Sequence, residues 1–154
     1  MKIWSVVPVK PFVRAKSRLA TILTVEQRQA LAESMFRHSI ETLIRAPGIA
    51  GITVLSRDSK ALAIAHEYGI RTIQESGTPN LNASLQRAAE IVRLGGWGGI
   101  LVLPANLPLI TLEDIEQIVY LGSHLTTVVI VPDRNEDSTN ALLVKPAGLI
   151  PFSF

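Results

Sequence analysis

Cysteine is absent from the 154 residues, and with it go disulfides, thiolate metal sites and a cysteine nucleophile. Histidine is scarce: His38, His66 and His124 each fall in or beside a helical pattern, without the spacing of metal ligands, and read as surface or boundary residues. No Ser-His-Asp order, Walker A glycine–lysine pattern or G-x-G-x-x-G occurs, which argues against serine hydrolysis, P-loop hydrolysis and hydride transfer. No apolar run has the length of a membrane span, and Met1-Lys2 leads straight into a strand without a signal-peptide layout. The expectation is a cytoplasmic protein with no membrane partner. Surplus charge is small as well: 15 Lys and Arg against 13 Asp and Glu leave a net charge of +2, a balance that does not point to nucleic acid.

What is present is an α/β pattern. The length fits about one domain, taken as 1–154, able to bury roughly 68–70% of its unfolded surface. Short apolar runs alternate with helical stretches, as in βαβ units and a mostly parallel sheet. Strands are expected at Ile3–Val9, Ile52–Leu55, Arg71–Gln74, Ile100–Leu103, Val128–Val131 and Ala141–Val144. A first helix starts at Thr24, where Gln27 three positions on completes a capping-box pattern, and runs to Arg45 with Leu31, Met35, Ile40, Leu43 and Ile44 on its buried side. Further helices follow from Asp58 or Ser59 to Tyr68, from Leu81 to Leu94, and from Thr111 to Leu121. Trp97, set among glycines, reads as a packing anchor. The chain stops on the apolar run Pro151-Phe152-Ser153-Phe154 with no helix to cover the last strands, so either a C-terminal piece is missing or a partner such as a second copy covers that face.

Chemistry gathers at three places. After the first strand, Lys10, Arg14, Lys16 and Arg18 crowd one irregular loop; in open α/β sheets ligands sit beyond the carboxyl ends of the strands, so this loop is suited to an anion such as phosphate. At the tip of the strongest strand, prolines flank one polar side chain, Asn106, readable as a metal or ligand contact or as an ordinary turn residue. The stretch from Pro132 to Asn140, with Asp137, Ser138, Thr139 and Asn140, is either a solvated hairpin loop or a polar substrate site whose carboxylates organise a divalent ion. Asn80, Asn82 and Ser84 open a helix and serve as its cap or as base and ribose contacts.

Together, Val7-Pro8-Val9-Lys10 with Ala15-Lys16-Ser17-Arg18-Leu19, Leu81-Asn82-Ala83-Ser84-Leu85, Leu103-Pro104-Ala105-Asn106-Leu107-Pro108-Leu109 and Ser138-Thr139-Asn140-Ala141-Leu142 closely resemble the 2-phospho-L-lactate guanylyltransferase family, in its order and over nearly the whole chain. The resemblance implies a Rossmann-like three-layer nucleotidyltransferase fold in which GTP and a small phosphorylated carboxylic acid meet over Mg2+, in the route to coenzyme F420. It implies that Lys10, Lys16 and Arg18 hold the triphosphate and act as the catalytic cations. Asn82 and Ser84 would lie beside the guanosine, and Thr139 and Asn140 would contact the phosphorylated acid. Two departures stand out. Where the family has Leu-Pro-Ala-Asp this chain has Asn106, an oxygen donor without the charge that Mg2+ prefers, and the family continues past the Pro-Phe segment to a further metal-binding aspartate. Weaker metal binding is therefore expected. The competing expectations are a nucleotide-binding module with impaired catalysis, or a nucleotidyltransferase for a molybdopterin or sugar phosphate, whose glycine-rich first loop is missing here.

Overall fold

Strand β1 (Ile3–Val9) alternates buried side chains between two faces and is the centre of everything that follows. The computed structural model describes residues 2–12, 21–76, 80–107, 109–134 and 139–152. Around β1 the remaining elements are α1 (Val25–Arg45), β2 (Ile49–Ser56), α2 (Ser59–Glu67), β3 (Arg71–Gln74), α3 (Leu81–Leu94), β4 (Gly99–Val102), α4 (Leu112–Leu121), β5 (Thr127–Pro132) and β6 (Thr139–Lys145). Each helix opens on a side-chain cap. Thr24 and Gln27 exchange bonds at 3.1 and 2.9 Å, Asp58 accepts from the Lys60 amide at 3.0 Å, Asn80 from Ala83 at 3.1 Å, and Thr111 from Asp114 at 3.1 Å. These caps satisfy amides that the first turn leaves without helical partners.

The sheet order is β3-β2-β1-β4-β6-β5. Pairings β1–β2, β1–β4 and β2–β3 are parallel, while β6 runs antiparallel to both β4 and β5. The mostly parallel sheet is as expected; the insertion of the last strand between β4 and β5 is what the sequence pattern left open. Because order reverses at β1, with β2 on one side and β4 on the other, a crevice opens beyond their carboxyl ends.

The two faces carry separate cores. Val7, Val9, Phe36, Ile40, Leu43, Val54, Ile64, Leu101, Ile115 and Leu143 join the face covered by α1, α2 and α4. Val6, Leu55, Leu85, Ala89, Ile100, Leu142, Val144 and Phe152 join the face covered by α3 and the closing segment. Strands buried on both sides become continuous apolar runs, which is why Ile100–Val102 and Leu142–Val144 show no polar alternation. Truncating the fully buried Leu143 to Ala would cost about 2–5 kcal/mol.

One sequence expectation needs correction. Leu31 and Ile44 are exposed, and the buried stripe of α1 is Met35, Phe36, Ser39, Ile40, Thr42 and Leu43. At about 100° per residue Ile44 turns away from the line through Phe36, Ile40 and Leu43, so two hydroxyl residues take places that an apolar count assigns to larger side chains. In the apolar ending Phe152 is buried in the α3 face, and its amide donates to Gln86 Oε1 at 2.8 Å. Trp97 does pack as expected, with its ring 5.1 Å from Trp4. Trp4 in turn donates to Thr53 Oγ1 at 2.8 Å and leaves no room for a side chain at Gly51. Among the described residues no helix is long and apolar enough to cross a membrane.

Candidate active site

The carboxyl ends of β1, β2, β3 and β4 share one edge of the sheet with the start of β6, because β6 is antiparallel. Ser56 organises the β1–β3 half of that edge. It is the last residue of β2, paired with Val9 and fully buried. Its hydroxyl donates to the Val9 carbonyl at 2.8 Å and accepts from the Asp58 amide at 3.0 Å. Its own carbonyl accepts from the Glu75 amide at 2.9 Å. The Ser56 side chain thereby ties the ends of β1 and β2 together, its main-chain carbonyl adds the chain leaving β3, and the buried hydroxyl both donates and accepts.

Asp58 extends this network. One carboxylate oxygen caps α2, and the other accepts from the Phe12 amide at 2.9 Å. Phe12 is buried with its ring 6.0 Å from Phe36, so the chain that leaves β1 is held by packing and by a charge-assisted hydrogen bond. Beside it lies an open cleft of about 490 Å³ lined by Pro11, Arg57, Asp58, Ser59, Gln74, Glu75 and Ser76. Glu75 lines that cleft, and its carboxylate accepts from the Ser84 hydroxyl at 2.9 Å.

The sequence-predicted residues distribute as follows. Lys10 is exposed, one residue past β1. Lys16 and Arg18, with Arg14, fall outside the described residues, as do Asp137 and Ser138. Asn106 is exposed in the β4–α4 loop, and Thr139 and Asn140 are the half-buried first residues of β6. The register Val102↔Leu142 sets Asn140 beside the residues that follow β4. Lys10, Asn106 and Asn140 thus occupy the tips of three neighbouring strands, and β1 and β6 stand roughly 10 Å apart at two strand spacings. Asn82 is half-buried in the first turn of α3. Ser84 is buried and joined to Glu75 rather than open to the cleft. Asn80 is the helix cap.

Sequence reasoning missed Ser56 and Glu75 and gave Asp58 only its capping role. A serine closing the apolar run Ile52–Leu55 was the available signal; the partners of Glu75 and of the second Asp58 oxygen are 9 and 46 residues away, beyond any local pattern. His38 is a boundary residue as expected, its Nε2 lying 2.6 Å from the Ile110 carbonyl and linking α1 to the β4–α4 loop. Among the described residues the shifted ionisations lie away from the edge. Tyr68, then Glu67, raises Arg37 above its usual range, and the Arg93 guanidinium holds Glu90 below the usual carboxylate range.

Solved structures that superpose on this chain include nucleotidyl- and sugar-nucleotide transferases. A protein from Desulfovibrio desulfuricans G20 described as a nucleotide-diphospho-sugar transferase superposes with a TM-score of 0.79 at 12% identity, over 98% of this chain and 67% of its own. A cytidylyltransferase from Leptospira borgpetersenii gives 0.61 at 15% identity, over 94% and 60%. Among curated relatives, the phosphoenolpyruvate guanylyltransferase of Rubrobacter xylanophilus is 36% identical over 154 residues, covering 100% of this chain and 74% of the relative. The 2-phospho-L-lactate guanylyltransferase of Methanothermobacter thermautotrophicus is 28% identical, covering 97% and 65%. The chain therefore spans about two thirds to three quarters of their length. With a family match running over residues 1–154, the chain belongs to the family described as "Guanylyl transferase CofC like".

Proposed function

We propose that this chain binds GTP and a phosphorylated three-carbon acid and transfers GMP from one to the other. The acid is phosphoenolpyruvate or 2-phospho-L-lactate, the substrates named for its relatives. The observation that carries this reading is the convergence of Lys10, Asn106 and Thr139–Asn140 on adjacent strand tips at the switch point of a nucleotidyltransferase sheet.

The roles follow from donor and acceptor chemistry. Lys10, with Lys16 and Arg18 from the same loop, neutralises the triphosphate; these are point charges and forks of the kind that phosphate oxygens attract. Thr139 and Asn140 offer a hydroxyl and an amide to the acid. Glu75, in the cleft on the other side of Lys10, presents an acceptor to the N1–H and N2–H2 donors that guanine, alone among the common bases, carries side by side. An oxygen of the acid's phosphate attacks the α-phosphorus of GTP. A P–O bond forms, the bond to the β-phosphate oxygen breaks, and pyrophosphate leaves. No covalent protein nucleophile is needed, since alignment and charge neutralisation supply the rate. The resulting guanylylated acid is the kind of activated intermediate used toward coenzyme F420.

Among the described residues no three carboxylate or imidazole groups converge, and Asn106 contributes an oxygen without charge. These residues do not by themselves make a resident Mg2+ site. The experiment is direct: incubate the purified chain with GTP, MgCl2 and each acid, and follow pyrophosphate. Release that depends on the acid is expected; none with either acid overturns the assignment.

A further inference from the structure

We infer that Asp58 is a positioning residue for the phosphate-binding loop: its two carboxylate oxygens do two separate jobs, and the second sets where Lys10 stands. This rests on the reading that Lys10 meets the triphosphate. Oδ1 accepts from the Lys60 amide at 3.0 Å and caps α2. Oδ2 accepts from the Phe12 amide at 2.9 Å, across 46 residues of sequence.

Lys10 lies between two tethers. On its N-terminal side the Val9 carbonyl accepts from the buried Ser56 hydroxyl at 2.8 Å. On its C-terminal side Phe12 is clamped by Asp58 and by burial against Phe36. Ser56 also receives the Asp58 amide at 3.0 Å, so both tethers end on the same corner between β2 and α2. A cap needs one oxygen, and serine, threonine or asparagine supplies it as well as aspartate does. The cap therefore does not account for a residue with two acceptors whose second oxygen meets the amide of the neighbouring loop. Without that acceptor the Phe12 amide loses its partner. The main chain at Lys10 is then held on its C-terminal side by the packing of Phe12 alone, and its ammonium no longer stands at a fixed distance from the bound anion.

Single-site chemistry separates the two jobs. In Asp58→Asn one carboxylate oxygen becomes an NH2 group, which cannot accept from Phe12 while the remaining oxygen caps the helix. In Asp58→Ser the hydroxyl caps α2 but is too short to serve the second amide. The test titrates GTP and GMP into wild type, both Asp58 variants, Lys10→Ala and Lys10→Ala combined with each, with thermal melting of every protein. Expected is a loss of about tenfold or more in GTP affinity for Asp58→Ser, a smaller loss for GMP, a melting temperature close to wild type, and no further loss when Lys10 is already Ala. Asp58→Asn should match it. If either variant weakens GTP equally in the Lys10→Ala background, or leaves GTP binding intact while the cap is retained, the positioning role is wrong. If Asp58→Asn keeps GTP affinity but melts lower, its oxygen has turned to Phe12, and Asp58→Ser then decides. Lys10→Ala binding GTP as wild type does would instead remove the phosphate reading on which this inference stands.

Discussion

The two halves of the active edge are built differently. On the β1–β3 side the polar groups are already committed: Ser56, Asp58, Glu75 and Ser84 are held by one another and by the main chain of Val9 and Phe12 in hydrogen bonds of 2.8 to 3.0 Å, and two of these residues are buried. On the β4–β6–β5 side Asn106 is exposed, Thr139 and Asn140 are half-buried, and none of the three makes a side-chain hydrogen bond among the described residues. Strand β5 has no fully buried residue and leaves Ile130 exposed. The difference teaches a division of labour. A rigid, pre-tied half suits a large ligand whose base and phosphates must be placed accurately, whereas uncommitted amides and hydroxyls suit a small anion that supplies its own acceptors.

The sharpest way to break this comparison is to remove one cation from the tied half. Lys10→Ala should weaken GTP by about ten- to a hundredfold, the range for a lost charged hydrogen bond, and leave the KM for the acid nearly unchanged. Initial rates at varied GTP and varied acid check it, and equal effects on both substrates would erase the division. Asn140→Ala is the mirror image: an increase of about tenfold in the KM for the acid, with GTP affinity kept within twofold.

A finer probe asks whether the tied half also reads the base. In Glu75→Gln the amide oxygen can still accept from Ser84, but an NH2 group then faces the donors of guanine. The preference for GTP over ITP, which lacks the 2-amino group, should fall about fivefold; an unchanged ratio in competition binding would take guanine away from Glu75. The smallest effect belongs to neither half. Glu90 sits exposed on α3, and its pKa is lowered by the Arg93 hydrogen bond. A carboxyl lowered in the folded state adds stability above its unfolded pKa, and that contribution fades as pH falls through the folded value. Glu90→Gln should therefore slightly flatten the acid limb of a melting-temperature profile and leave GTP binding alone.

Much of this molecule was legible before any coordinates. Strand β1, helix α3 and the caps at Thr24, Asn80 and Thr111 match their patterns to the residue or nearly so, since cap chemistry and apolar periodicity act over three or four positions. The buried stripe of α1 was less legible, because Ser39 and Thr42 are small enough to lie against the sheet and hydropathy alone assigns them to solvent. In the site, Lys10, Asn106 and Asn140 were each visible as polar residues beside a strand. Their neighbourhood was not, for Lys10 lies about a hundred residues or more from the other two, and the three meet only because β4 pairs with β1 and β6 inserts beside β4.

Local order along the chain settled which segments become strands and helices and which residues carry charge into the loops, because those choices depend on backbone sterics and side-chain period. The pairing of strands settled the rest. An antiparallel last strand brings Thr139 and Asn140 to the same edge as Lys10, and a single aspartate joins two loops that are 46 residues apart. Such long-range hydrogen bonds gain their free energy only once the core has closed the intervening chain, so no stretch of residues read alone contains them.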